Sequence, residues 1–554
     1  MTLNSRALGG ITAYSLQVVI IGAGCSGLCA GYELKKAGFD VQILEASSRV
    51  GGRVITFRDP YFAPGLHGEG GAMRIPKDHL LLLEYIKKFG LEKQLFDFEM
   101  RNKFIYLSGL GKTVTYDEFD KMLKKLDPPD PELMKVFPNL TSNEKGKTCD
   151  ELFEEAVQPV VDDFWKAYDE WLGAPASDDK PDGQADGSSQ NFQATTEDPK
   201  KKGDRVKHAY AAITKKYDKY SLRSYLTEVA GWSQDAINLY DLGNAHVVFE
   251  NGFIESWKDA FLSSNGSGAA AGMKQLGDGM DQVPKAFIRS KAVDADSLID
   301  NITFGARVKH IERDDKPGFG QTPVKVLYEN PAGEEVAVTA NYLILAIPYT
   351  SQRSITKSHP FVPKQEMAIR LVRYVEVTKV LLQYIERWWK NIFTAAGQGT
   401  DGGLVSDLPI RYTMFPKEDE MNPQIAVSNR GVVMAAYTFE QDATILGSLS
   451  SAQRIAIAAR NLATMFPQAD SLSKLEAYAS QVFPADEMAG GSAFCYFGPM
   501  QKTDFLETMI ESDWDNQVFF AGEQASYTHG WIQGAFEAGL RCAKKIYEAA
   551  KTAV

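Results

Sequence analysis

The chain has 554 residues and a mass of 61.2 kDa, more than one hydrophobic core ordinarily serves, so two or three domains are expected. Hydrophobic residues make up 44% and charged residues 24%, the balance of a soluble globular protein. The net charge of −12 argues against a nucleic-acid surface, and no apolar run reaches the roughly 20 residues of a membrane helix.

The N-terminal stretch MTLNSRALGGITAYSLQ lacks the charged-then-apolar pattern of a signal peptide. A cytoplasmic location is favoured, or a secreted one if a leader has been removed. Gln17 to Ile21 is a β-branched run that predicts a buried parallel strand. Gly22-Ala23-Gly24-Cys25-Ser26-Gly27 follows, and a helix is expected to about Ala37. In such a turn the first glycine permits the tight bend. The second lets the backbone approach a pyrophosphate, and the third lets helix and strand pack closely. Unpaired N–H groups at the helix N-terminus favour the anion. Val41 to Leu44 is the next strand, and Glu45 at its end can accept from ribose hydroxyls. Strand, glycine turn, helix and acid in register predict a dinucleotide site. Arg49-Val50-Gly51-Gly52-Arg53 comes next, where an arginine can pair with the pyrophosphate. The cysteines are Cys25, Cys29, Cys149, Cys495 and Cys542, and the first pair is expected to be reduced and buried.

Residues 117–250 are rich in helix formers with apolar residues at helical spacing, as in LFEEAVQPVVDDFWKAYDEWL. Within them, 174–204 reads as an exposed polar excursion. Beyond Gly305 the pattern is strand-like: ARVKHIERD, then PVKVLYEN and AVTA joined as a hairpin by PAGEE, then the buried strand YLILAIP. TKVLLQY and VVMAAY predict strands of a second sheet. Lys379 lies inside the first of these, where an unpaired ammonium is costly to bury. Gln517 to Phe520 is a last short strand before Gly522-Glu523. Gly530-Trp531-Ile532 opens the final helix, whose N–H groups can face an anionic edge.

The fold class expected is α/β (α+β) with interleaved domains. A discontinuous Rossmann-like cofactor-binding domain takes 15–60, 272–372 and 512–554. A mixed-sheet substrate-binding domain takes 61–116 and 373–511, and a helical insertion takes 117–271.

Taken together, GAGCSGLCA, EASSRVGGR, EGGAMRIP, KKYDKYSLRSYL, GFIES, GDGMDQVP, TKVLL, SDLPIRY, AAYTF and AGEQASYTHGWIQGAFEAGLR span nearly the whole chain. This set resembles the flavin-dependent L-amino-acid oxidases, within the wider monoamine oxidase family and its glutathione-reductase-type FAD fold. The resemblance implies FAD, held by Gly22, Gly24, Ser26, Gly27, Glu45, Ala46, Gly52 and Arg53. Gly71, Ala72, Met73 and Arg74 join from EGGAMRIP, with the Val308 backbone at the adenine. Gly522 and Glu523 serve the ribityl side, and Gly530, Trp531 and Ile532 serve the ring.

The catalytic set it implies is Arg74, Tyr437, Lys379, Gly530 and Trp531. Arg74 grips the substrate carboxylate with help from the Tyr437 hydroxyl. Lys379 holds a water near flavin N5, and the Gly530 carbonyl receives the amine. No side chain stands out as a base. The reaction implied is oxidative deamination of L-amino acids by hydride transfer from Cα to flavin N5. Its products are 2-oxo acid, ammonia and, with molecular oxygen, hydrogen peroxide. An amine or polyamine oxidase and an amino-acid 2-monooxygenase are the alternatives within the fold, and a non-enzymatic flavin protein is the alternative outside it. The expected partners are the amino acid, oxygen and further copies of the chain, as a homodimer or dimer of dimers. No metal, nucleic acid or membrane is expected.

Some positions depart from the family pattern. MAGGSAFCYF puts Ser492 where covalent flavin enzymes carry cysteine, with Cys495 displaced, so FAD is expected to be non-covalent. FIESWKDAF places Asp259 where the vertebrate oxidases have a histidine, which excludes a histidine base there. Val482-Phe483 replaces the usual tryptophan upstream of the glycine pair.

Overall fold

The computed structural model describes residues 16–126, 128–171, 199–244, 248–258, 261, 272–314, 324–417 and 429–552. Its organising element is a six-stranded sheet ordered Ile302–Phe304, Asp40–Glu45, Gln17–Ile21, Tyr342–Leu345, Val518–Phe520, Ser512–Asp513. Gln17–Ile21 (β1), helix Cys25–Lys36 (α1) and Asp40–Glu45 (β2) form the expected βαβ unit, with β1 and β2 parallel. β1 also pairs in parallel with Tyr342–Leu345, and that strand with Val518–Phe520. The pleat sorts the β1 side chains. Val18 and Ile20 face a core shared with α1 and the C-terminal helix Ile532–Thr552, while Val19 and Ile21 face a core on the other side.

The expected hairpin is present as Val324–Glu329 and Glu335–Ala340, in a four-stranded sheet with Arg307–Arg313 and Thr356–Lys357. The second large sheet has seven strands, ordered Leu475–Val482, Val377–Tyr384, Gly431–Phe439, Tyr412–Phe415, Gly402–Ser406, Asn102–Leu107, Lys112–Thr115. Every residue of Val377–Tyr384 is buried. A strand covered on both faces reads as a largely apolar run, and Lys379 is the one charged residue within it. Lys379 stands directly opposite Tyr437 in the antiparallel register, so both side chains leave the sheet on one face.

Helices Tyr116–Lys124 and Cys149–Glu170 each begin with a reciprocal capping box, Thr115 with Glu118 and Thr148 with Glu151. The polar excursion expected at 174–204 falls mainly outside the described residues. Its last part is corrected: helix Pro199–Tyr217 starts inside it. Proline at a first helical position costs no hydrogen bond, and the Lys- and Ala-rich run after it has high helix propensity. All five cysteines are buried and free. No described helix is long and apolar enough to cross a membrane.

Candidate active site

A cavity of about 710 Å³ runs from the carboxyl ends of β1 and β2 to the face of the seven-stranded sheet that carries Lys379 and Tyr437. It begins at the glycine turn. Gly22 has φ +102°, a conformation open to glycine, and a Cβ there would lie 2.7 Å from Ile347 Cγ2. A Cβ on Gly27 would lie 2.0 Å from the Gly22 carbonyl oxygen, so this glycine is where helix meets turn. Gly24 differs: a Cβ there meets nothing within 4 Å and would project into open space. That space is fitted to something that must touch backbone, which is the use of the middle glycine in a dinucleotide site.

The contrast gives a test. Gly27→Ala is expected to lower the melting temperature of the apoprotein, at a cost of about 1–3 kcal/mol or more for an overpacked site. Gly24→Ala is expected to leave apoprotein melting unchanged and to weaken flavin binding. Differential scanning fluorimetry and flavin titration separate them, and equal destabilisation by both changes would rule out an open cradle at Gly24.

Glu45 is held by its own turn. One oxygen accepts from the Ala23 N–H at 2.7 Å, the other from the Ser47 N–H at 2.8 Å and the Ser47 hydroxyl at 2.7 Å. Oε2, which takes only one of these bonds, keeps a free acceptor site, and Glu45 lines the cavity. The arginines of RVGGR have protein partners that the sequence did not announce. Arg49 donates to the carbonyls of Gly52, Val50 and Val54 and braces the loop. Arg53, expected at a pyrophosphate, is bonded to Glu523 at 2.9 Å and to the Ala493 carbonyl at 3.2 Å.

Glu523, expected at the ribityl side, is the hub of this wall. Besides Arg53 it accepts from the Cys495 N–H at 2.9 Å and from the Gly530 N–H at 2.9 Å. One carboxylate thereby fixes the N-terminal loop, the Phe494–Cys495 strand and the last loop before the C-terminal helix. Gly530 itself has φ +82°, a left-handed turn that aims the chain into that helix. Ser26 accepts from the Gly522 N–H at 2.9 Å and ties α1 to the same segment.

The residues expected from the sequence converge. Gly22, Gly24, Ser26, Glu45, Ala46, Gly52, Arg53, Gly71, Ala72, Met73, Arg74 and Val308 line the cavity. So do Lys379, Tyr437, Gly522, Glu523, Gly530, Trp531 and Ile532. Gly27 does not, because it is buried between helix and turn. Asp259 lies outside the described residues.

At the far end, Arg74 lies in front of the Trp531 indole, with its guanidinium carbon 5.8 Å from the ring centroid. Its Nη1 donates to the Met100 sulfur at 3.3 Å. Among the described residues no carboxylate comes within ion-pairing distance of Arg74, so its fork is available to a ligand. Trp531 is held by the His79 ring, edge-on at 5.1 Å.

Tyr437 is packed against Phe439, ring centroids 4.6 Å apart, and burial holds its hydroxyl in the neutral form. The Lys379 ammonium lies 4.5 Å from the Tyr437 ring centroid and donates to the Gly71 carbonyl at 2.7 Å. Burial lowers Lys379 to about 7, opposed by Glu69, while Arg74 lowers it further. Burial also raises Glu69 to about 7, against hydrogen bonds from the Met280 N–H and the Thr56 hydroxyl.

Several lining residues were not singled out from the sequence. Glu69 opens the motif EGGAMRIP and was legible only as part of it. Phe153, Tyr240 and Trp257, from the helical region, close the cavity with Phe494 and Tyr496. Phe153 stacks on Tyr240 at 4.9 Å. Helical periodicity marks such rings as buried without saying that they face a cavity. Phe483, which with Val482 stands in place of the family tryptophan, lines the cavity too.

Comparison with known proteins agrees with this geometry. The family model for flavin-containing amine oxidoreductases matches residues 25–547. An L-amino-acid oxidase of Sistrurus catenatus edwardsii is 30% identical over 556 residues, covering 98% of this chain and 90% of that one. An L-amino acid oxidase of Bothriechis schlegelii is 28% identical over 543 residues, covering 98% and 92%. Among solved structures, a putrescine oxidase variant has a TM-score of 0.67 at 18% identity, covering 96% of this chain and 99% of that one. Cyclohexylamine oxidase from Brevibacterium oxydans has a TM-score of 0.65 at 18% identity and the same coverage. At that identity they establish the shared fold. With a family match over nearly its whole length, and a glycine cradle, a helix N-terminus and a cavity to suit the cofactor, the chain belongs to the flavin-containing amine oxidoreductases.

Proposed function

We propose that the protein oxidises L-amino acids to 2-oxo acids with release of ammonia and hydrogen peroxide. The observation that carries this reading is Arg74, a guanidinium in the cavity wall with a sulfur and an indole face as its neighbours. A simple amine has nothing for it to hold, whereas an α-carboxylate matches its two parallel donors. The Tyr437 hydroxyl, neutral and facing the same space, is a second donor to that carboxylate. The kinship with L-amino-acid oxidases supports the reading.

The cavity end nearest the six-stranded sheet would hold FAD, with the pyrophosphate at the N-terminus of α1 and the ring against Gly530 to Ile532. FAD supplies the two-electron acceptor for the Cα–H bond. Cys495 supports non-covalent attachment: it is fully buried, its N–H is bonded to Glu523, and it does not line the cavity. Arg74 and the main chain at Gly530 hold the two ends of the substrate, which replaces much of the orientational entropy cost of reaction. The substrate amine must be neutral when its Cα–H bond breaks. Lys379, neutral above about pH 7, is the group that can take that proton, directly or through a water. The aromatic walls from Phe153, Tyr240 and Trp257 suit apolar side chains on the substrate.

Anaerobic mixing of the flavin-loaded protein with L-leucine or L-phenylalanine is expected to bleach the visible flavin bands without added reductant. Mass spectrometry of aerobic reactions is expected to find the 2-oxo acid. An amide product would assign the 2-monooxygenase reaction instead. Turnover of amines without amino acids would assign an amine oxidase.

A further inference from the structure

Resting on the amino-acid oxidase reading, we propose that Arg411 sets how large a substrate side chain the site takes, by tying the helix behind the side-chain wall to the sheet behind the carboxylate anchor. Arg411 closes the short connection between strands Gly402–Ser406 and Tyr412–Phe415. Its carbonyl accepts from the Ser406 N–H at 2.8 Å, and its own N–H donates to the Leu408 carbonyl at 2.9 Å. Its φ is +55°, a left-handed conformation that glycine or asparagine adopts with less strain. The turn alone therefore does not explain an arginine here. What those residues lack is the long side chain, and that side chain is engaged.

The guanidinium reaches another part of the chain. Its Nη2 lies 2.7 Å from the Asp241 carboxylate and donates to the Asp241 main-chain carbonyl at 3.4 Å. Its Nε lies 3.4 Å from the Asp442 carboxylate. One largely buried cation thus joins helix Gln234–Asn244 to helix Glu440–Ser448. A single exposed ion pair contributes little, but a charge shared between carboxylates on separate elements holds both. Two neutral donors help at the same end of the first helix. The Gly243 carbonyl accepts from the Asn102 amide at 3.2 Å and from the Tyr116 hydroxyl at 3.0 Å.

Both ends of this tether adjoin the cavity. Tyr412, next after Arg411, stands opposite Tyr437 in the antiparallel register. Tyr240 precedes Asp241, and Tyr240 and Asn244 line the cavity with Phe153 and Trp257. Arg411 does not line it, so it is a positioning residue that acts through the helix. Loosening it frees the wall to move while Arg74, Tyr437 and Lys379 keep their own partners. A substrate with a large side chain feels that change. Alanine, whose methyl group stays beside Cα, does not.

Two measurements on the flavin-loaded protein test this. Arg411→Asn removes the guanidinium and tolerates the left-handed backbone. Asp241→Asn removes its partner from the helix side, at a position 36% exposed. In each, the KM for L-phenylalanine is expected to rise about 3- to 30-fold more than the KM, or competitive inhibition constant, of L-alanine. The kcat is expected to hold, whereas general damage would lower it for every substrate. The double variant is expected to be no worse than either single one. An equal rise for both amino acids, no rise, or additive effects would overturn the proposal. The second measurement needs no turnover. Hydrogen–deuterium exchange is expected to quicken in helix Gln234–Asn244 of both variants and to stay unchanged in helix Ile532–Thr552. Unchanged exchange in the first helix, or faster exchange in both, overturns the tether. If the unaltered protein turns over no amino acid, the oxidase reading falls and exchange alone decides the tether. Should Arg411→Asn fail to fold, Asp241→Asn carries both measurements.

Discussion

Replacing Arg74 by methionine is expected to raise the KM for L-amino acids by about 10²- to 10⁴-fold. The figure follows from losing two charge-assisted hydrogen bonds of about 1.5–3 kcal/mol each, with about 1.4 kcal/mol per tenfold. Methionine keeps an unbranched apolar stem beside Met100 and Trp531, so the loss is of recognition and not of packing. Arg74→Lys keeps the charge without the planar fork and is expected to fall between methionine and arginine. Steady-state peroxide release with L-leucine measures all three. The same methionine variant is expected to weaken flavin binding far less than amino-acid binding, since Arg74 is one of many residues expected at the cofactor and the glycine cradle and Glu45 are untouched. If KM for amino acids barely moves while turnover of amines also stays absent, Arg74 is not the carboxylate anchor.

The cofactor half of this architecture was legible in the sequence because its signals are local. A strand, a glycine turn and an acid lie within one short segment, and each residue's role follows from backbone geometry at that point. Arg74, Tyr437 and Lys379 were legible only through resemblance, because their meaning lies in being brought together by two neighbouring strands and a loop about 300 residues away in the chain. What the sequence hid was pairing. Arg53 looks like an anion-binding residue until Glu523, 470 positions away, is found beside it. His529 looks like an incidental neighbour of Gly530 until Glu255, 274 positions away, is found on its ring. Charges separated that far in the chain carry no periodicity, and only the folded contacts show which are partnered. The pKa of Lys379 is of the same kind: its strand announces the burial that lowers it, but not the Glu69 and Arg74 that adjust it from another part of the chain.

Replacing Lys379 by methionine is expected to lower kcat/KM by about 10²- to 10⁴-fold, the range of a lost acid–base group. It should also remove a limb from the pH profile. Burial disfavours the ammonium, so Lys379 loses its proton near 7, not near the ordinary 10.5. Activity that needs the neutral amine therefore rises with pH through about 7, and the methionine variant lacks that rise. The ammonium of the substrate itself titrates at higher pH and gives a second limb that both proteins keep.

Glu69 titrates near 7 as well, so a partner variant must decide between them. The Glu69 carboxylate raises Lys379, hence Glu69→Gln is expected to move the limb to lower pH. If Glu69 were the titrating group, the glutamine variant would abolish the limb instead. Stability gives an independent check on the same sign. Between about 7 and 10.5 the unfolded chain holds a proton on Lys379 that the folded chain lacks. The stability of the unaltered protein thus gains with rising pH across that window, relative to the methionine variant. The variant's advantage in thermal melting is expected to be largest below pH 7, where the native fold must keep a buried ammonium, and to shrink as the pH approaches 10.5. A melting difference independent of pH would mean that Lys379 is charged throughout, and the proton acceptor would have to be sought elsewhere in the cavity.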